Sequence, residues 1–163
     1  MDGADRPITV NREGAKTRRV FGDCSGRVIG ACIEVHRALG PGLLESAYEQ
    51  CLAHELGLRQ LHFQRQQLLP VVYKGRRLDA GYRLDFVVEG HLIVELKAVE
   101  NLLPIHEAQL ITYLRLTGIS AGLLVNFHAE SIQRGLRRVV LTPKSFASSR
   151  LPVQSLSPQE GRR

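Results

Sequence analysis

Apolar residues recur at helical spacing over 27–39, where Val28, Ile29, Cys32, Val35 and Leu39 share a face, and this pattern predicts an amphipathic helix. Gly40-Pro41-Gly42 stops it, since proline cannot extend a helix and glycine tolerates the turn. A second helix is predicted over 43–56, with Leu44, Ala47, Tyr48, Cys51 and Leu52 on one side and Gly57 as its C-cap. From residue 63 onward the pattern turns strand-like. Segments 63–73, 78–88 and 92–99 read as strands separated by turns at Lys74-Gly75-Arg76 and Glu89-Gly90-His91. A further helix over 104–116 opens on Pro104 and is ended by Gly118. Residues 121–127 read as a short buried strand, and 132–141 as a helix-to-strand stretch. This order predicts an α/β (α+β) domain built on a mixed sheet flanked by helices.

The chain has 163 residues, 44% of them hydrophobic, enough for one domain with its own core. Residues 1–23 lack periodicity and are expected to be a flexible arm. Residues 142–163, rich in Ser and Pro, are expected to be a disordered tail, which leaves 24–141 as the domain. No apolar run approaches the ~20 residues of a membrane-spanning helix, and the polar N-terminus lacks a secretory signal. A cytoplasmic protein without a membrane partner is expected. Cys24, Cys32 and Cys51 form no CxxC pair, which argues against a disulfide framework or a structural zinc site. The net charge of +6 permits a nucleic-acid partner without requiring one, because residues 24–141 carry 13 basic and 11 acidic side chains.

The chemistry concentrates in two places. In the strand 92–99, alternation puts Ile93, Glu95 and Lys97 on one face. A three-residue loop at Glu89-Gly90-His91 would set Asp85 directly across from Glu95, whereas a two-residue loop would set it across from Val94; the three-residue loop is expected. Carboxylates facing each other across a ladder need neutralising. Lys97 is one candidate and a divalent cation such as Mg²⁺ or Mn²⁺, which favours oxygen ligands, is the other. Glu45, three residues from Tyr48, either complements the dipole at its helix start or adds a third carboxylate. Gln109 and Tyr113, at i and i+4 with His106 on the same stripe, could position a phosphate or a base. His36 reads as a packing residue. Arg83, Arg134, Arg137 and Arg138 are possible phosphate contacts, the last three at helical spacing.

Taken in order, Gly42-Leu43-Leu44-Glu45-Ser46-Ala47-Tyr48, Asp85, Glu95-Leu96-Lys97 and Gln109…Tyr113 resemble the PD-(D/E)XK nuclease superfamily, and within it the family named for its GxxExxY motif. Leu84 stands before Asp85 where the superfamily motif has Pro. The resemblance implies a restriction-endonuclease-like core and a Mg²⁺ (or Mn²⁺) site formed by Asp85, Glu95 and the backbone carbonyl of Leu96, with Glu45 as a further acidic ligand. It implies Asp85, Glu95 and Lys97 as catalytic residues. Tyr48, Gln109 and Tyr113 would position substrate, the last two resembling the QxxxY element of the RecB-like branch. The expected function is metal-dependent hydrolysis of phosphodiester bonds in nucleic acid, DNA above all, by a possible homodimer. The alternative is an inactive nucleic-acid- or partner-binding module on the same fold.

Overall fold

The computed structural model describes residues 10–11 and 23–142. Apart from Val10–Asn11, Asp23 and Thr142, the expected arm and tail lie outside the described residues. The elements run β1 (Val10–Asn11), α1 (Ser25–Leu39), α2 (Glu45–Leu58), β2 (Phe63–Tyr73), β3 (Arg76–Val88), β4 (Leu92–Lys97), α3 (Pro104–Thr117), β5 (Ala121–Asn126), α4 (Ile132–Gly135) and β6 (Leu136–Val140). The strands form a single sheet in the order β1-β6-β5-β4-β3-β2. Among the described residues only β4 and β5 pair in parallel, and α3 is the crossover that a parallel pair requires. The predicted mixed sheet with flanking helices, an α+β arrangement, is the fold of this chain.

Two apolar cores sit on opposite sides of the sheet. On one, Val28, Ala31, Cys32 and Val35 of α1 and Tyr48, Leu52 and Leu56 of α2 pack on Phe86, Val88, Val94, Leu96, Leu123 and Val125. On the other, Leu110, Tyr113 and Leu114 of α3 cover Leu84, Val87, Ile93, Leu124 and Val139. β4 and β5 are therefore covered on both faces, which explains their nearly unbroken apolar runs. Within this slab the interior strand β4 carries Glu95 and Lys97, so both charged groups enter the fold beneath α3. No described helix is long and apolar enough to cross a membrane.

Several predicted boundaries move: α2 opens at Glu45, leaving Leu44 exposed before it, β3 opens at Arg76 and β4 closes at Lys97. α2 does not stop at Gly57: it runs to Leu58, and Gln60 takes the left-handed conformation, φ 55°. The Leu61 and Gln60 N–H groups then close on the carbonyls of Leu56 and Gly57, a Schellman ending locked by burial of Leu56 and Leu61. The stretch after Ser131 is helical for only four residues before β6 begins. Gly135 lies so close to the Asn126 carbonyl that a Cβ there would come within 2.4 Å of it. The arginine cluster expected at helical spacing is consequently dispersed. Arg134 lies on α4 and pairs with Glu130. Arg137 and Arg138 lie on β6, where neighbouring residues face opposite sides of the sheet. Arg138 reaches Asp23 at 2.8 Å.

Candidate active site

The site begins with an interruption of backbone pairing. Phe86↔Val94, Val87↔Ile93 and Val88↔Leu92 establish the register that the three-residue loop predicts. Continued by one step, that register brings Asp85 level with Glu95, but the ladder ends before it. The Asp85 side chain takes over the role of a backbone acceptor, its Oδ2 receiving the Leu96 N–H at 2.8 Å. On the opposite side, Gln66 lies level with Asp85 in the β2–β3 register, has φ 51°, and donates from Nε2 to Asp85 Oδ1 at 3.4 Å. The strand changes its facing here: Phe86 packs with the α1–α2 core, whereas Leu84, two residues earlier, packs with the α3 core. Such irregularities re-aim side chains next to functional sites. β3 and β4 part at this point, and a carboxylate stands where they part.

Glu95 is 3% exposed. Its Oε1 accepts from Lys97 Nζ at 2.7 Å, while Oε2 is buried without a hydrogen-bond partner. Burial, with the Asp85 charge adding to it, pushes the Glu95 carboxyl up to about 7. Burial also raises Asp85, against the pull of the Leu96 N–H and the Lys97 charge, with Glu45 and Glu49 pushing the same way. An orphaned buried carboxylate oxygen is costly, and one lysine does not satisfy two carboxylates. The unmet need is for positive charge with oxygen-seeking chemistry, which is what a hard divalent cation brings. The Leu96 carbonyl leaves the backbone on the same edge as its N–H, beside Asp85.

Helix α2 adds acidity from the other side. Glu45 occupies its first turn, exposed, and acts on both Asp85 and Glu95 through its charge. Glu49, one turn further along, acts on Asp85 and is held by Arg65 at 3.0 Å. Sequence reasoning passed over Glu49, although its i+4 spacing from Glu45 puts it on the same stripe. Among the described residues, no three His, Cys, Asp or Glu side chains converge closely enough to hold one ion. The expected three-carboxylate set of Glu45, Asp85 and Glu95 is therefore not assembled here. Buried Glu95 and half-buried Asp85 form the centre.

Tyr48 corrects an expectation. It is fully buried and stacked on Phe127, with ring centroids 4.5 Å apart. Its hydroxyl donates to the Gly40 carbonyl and accepts the Leu43 N–H at 3.1 Å. Tyr48 thus braces the Gly40–Leu43 turn that launches α2, and through it Glu45, instead of meeting substrate. Gln109 and Tyr113 do stand together beside the carboxylates: Gln109 Nε2 donates to Tyr113 Oη at 2.7 Å. The Tyr113 hydroxyl is raised by burial and then by the Glu95 charge, and its ring meets Tyr82 edge-on. His106 turns to the helix start instead, its Nδ1 accepting the Leu103 N–H at 3.1 Å. His36 binds the Ala129 carbonyl at 2.9 Å, the packing role expected of it. Arg83 is exposed on β3, two residues from Asp85.

A family model described as the PD-(D/E)XK nuclease superfamily matches residues 22–139. No curated protein and no solved structure gives a significant match to the chain. The match takes in α1 to α4, the whole β2–β4 meander, and Asp85, Glu95 and Lys97. By this match the chain belongs to the PD-(D/E)XK nuclease superfamily.

Proposed function

We propose that the protein is a nuclease dependent on Mg²⁺ or Mn²⁺ that hydrolyses phosphodiester bonds of DNA. The observation that carries this reading is the Glu95 carboxylate, buried beside Asp85 with one oxygen bound to Lys97 and the other bound to nothing. Asp85, Glu95 and the Leu96 carbonyl would hold the cation, with Glu45 reaching it through water. A divalent cation held there supplies Lewis acidity toward water and phosphate. Lys97, hydrogen-bonded to Glu95, would orient the attacking water and offset negative charge on the phosphate. Gln109 and Tyr113 line the α3 side, where they can fix the strand being cut, and Arg83 offers a phosphate contact. The Gly42–Tyr48 and Gln109–Tyr113 elements support a place in the GxxExxY family and the RecB-like branch.

The test is cleavage of single- and double-stranded DNA in Mg²⁺, Mn²⁺ or EDTA by wild type and Lys97→Ala. The reading expects cutting with either metal, none in EDTA, and loss of at least 100-fold in the variant. Retained DNA binding with no cutting in any metal would replace it with the inactive binding module.

A further inference from the structure

Neither the two cores nor the carboxylate site accounts for the outer part of the β2–β3 hairpin. β3 pairs with β4 only over Phe86–Val88, yet continues alongside β2 to Arg76. Past Asp85 the hairpin is therefore a two-stranded ribbon, buttressed at its root by Leu69 against the α3 core and by Tyr82 against Tyr113. From the turn at Gly75 back to Asp85 it spans roughly 33 Å at ~3.3 Å per residue. Leu68, 65% exposed, and Val72, 44% exposed, stand bare four residues apart on β2, while Lys74 Nζ lies over the Tyr73 ring at 5.4 Å.

The charge identifies a partner for the ribbon. Between Phe63 and Leu84 the sequence carries five basic residues and one acidic residue. The rest of 24–141 carries eight basic and ten acidic residues, so the domain's excess positive charge lies on this hairpin. Lys74 is at the turn, and Arg76 and Arg77 follow it, cross-paired with Tyr73 and Val72 respectively. Adjacent strand positions face opposite ways, so Arg76 shares a face with Tyr73 and Arg77 shares the other with Val72. A second copy of this chain would bring like charge against like charge. Strand addition along β2 is further opposed by Pro70, which lacks an N–H, and by the irregular backbone at Gln66.

We propose that this ribbon is an arm that seats in the major groove of duplex nucleic acid and leads one backbone to Asp85 and Glu95. The major groove, about 12 Å wide, admits a two-stranded ribbon. Leu68, Val72 and Arg77 then lie on the face turned into the groove, and Lys74 and Arg76 near the tip reach the flanking backbones. The ribbon's length corresponds to about one helical turn of DNA. The inference rests on the nuclease reading for the phosphodiester at the ribbon's root and deepens it by naming a duplex substrate.

The test is fluorescence anisotropy in EDTA over a salt series, with a duplex and a single strand of about 20 nucleotides, with wild type and the Lys74→Gln/Arg76→Gln/Arg77→Gln variant. Wild type is expected to prefer the duplex. The triple variant should melt like wild type, lose at least 10-fold in duplex affinity, and show a salt slope smaller by about 2–3, at ~0.9 per lost phosphate contact. A second variant, Leu68→Ser/Val72→Ser, should weaken duplex binding and leave that slope unchanged. Equal affinity and slope in the triple variant would overturn the proposal. So would sedimentation showing a wild-type dimer that Leu68→Ser/Val72→Ser dissociates, which would assign the ribbon to a second copy. Because binding is read without turnover, ribbon-dependent binding with no cleavage in Mg²⁺ would leave the arm standing and remove the nuclease. Cleavage without ribbon-dependent binding would do the reverse.

Discussion

Replacing Glu95 with glutamine should stabilise the protein at alkaline pH while removing its activity. The Glu95 carboxyl lies at about 7 in the fold against 4.5 for an ordinary glutamate, because burial and the Asp85 charge oppose its ionisation. Between those two values the folded state binds more protons than the unfolded state, so stability falls as pH rises through that window. At about 1.4 kcal/mol per pH unit, the cost of ionising Glu95 in the fold is at most about 3.5 kcal/mol, with the Lys97 hydrogen bond already counted in that balance. Glutamine keeps the shape and an acceptor for Lys97 without that cost. The net expectation is a gain of roughly 3 kcal/mol near pH 8, shrinking to about 1 kcal/mol or less by pH 5, where the folded wild type carries the neutral acid. Urea denaturation of both proteins at the two pH values, in EDTA, measures it. A Glu95→Gln variant no more stable than wild type at the higher pH, or with a pH-independent difference, would refute the claim that this carboxylate is held against its own preference.

Other expectations follow from single contacts. Tyr48→Phe strips the hydroxyl from Gly40 and Leu43 and should cost about 1–3 kcal/mol, seen as a lower melting temperature; lost turnover at unchanged stability would return Tyr48 to the substrate. Gly135→Ala forces a methyl against the Asn126 carbonyl and the Ala129 side chain, with an expected cost of about 2–3 kcal/mol in denaturation. Asn126 binds both backbone groups of Val99 and the His128 N–H, so Asn126→Ala should destabilise by roughly 2–3 kcal/mol. It should also raise amide exchange in 98–103, the segment that follows Lys97.

Much of this arrangement is written locally in the chain. The helix periodicity around Val28 and Val35, Pro104 at the start of α3 and Gly118 at its end all depend on near neighbours. The β3–β4 register is local too, because a three-residue loop around Gly90 dictates which residues face. What escaped is what distant backbone decides. Gly57 looks like a helix end, but the αL position falls at Gln60 because burying Leu61 against Leu56 outweighs the ~1 kcal/mol cost of an interior glycine. Tyr48 looks like a polar reader three residues from Glu45; its stack on Phe127, 79 positions away, makes it a brace. The triple arginine spacing fails at Gly135 because contact with the Asn126 carbonyl ends the helix there. The site shows the same division. Asp85, Glu95 and Lys97 are legible from alternation. The Asp85 bond to the Leu96 N–H and the left-handed Gln66 are not, because they arise only once β2, β3 and β4 lie side by side.

The account turns on whether Asp85 and Glu95 hold a divalent cation. Calorimetric titration of the full chain with Mn²⁺, repeated with Asp85→Asn, addresses this directly. The account predicts saturable binding to wild type that Asp85→Asn weakens at least 10-fold without unfolding the protein. Absence of binding to wild type, or equal binding to the variant, would contradict it.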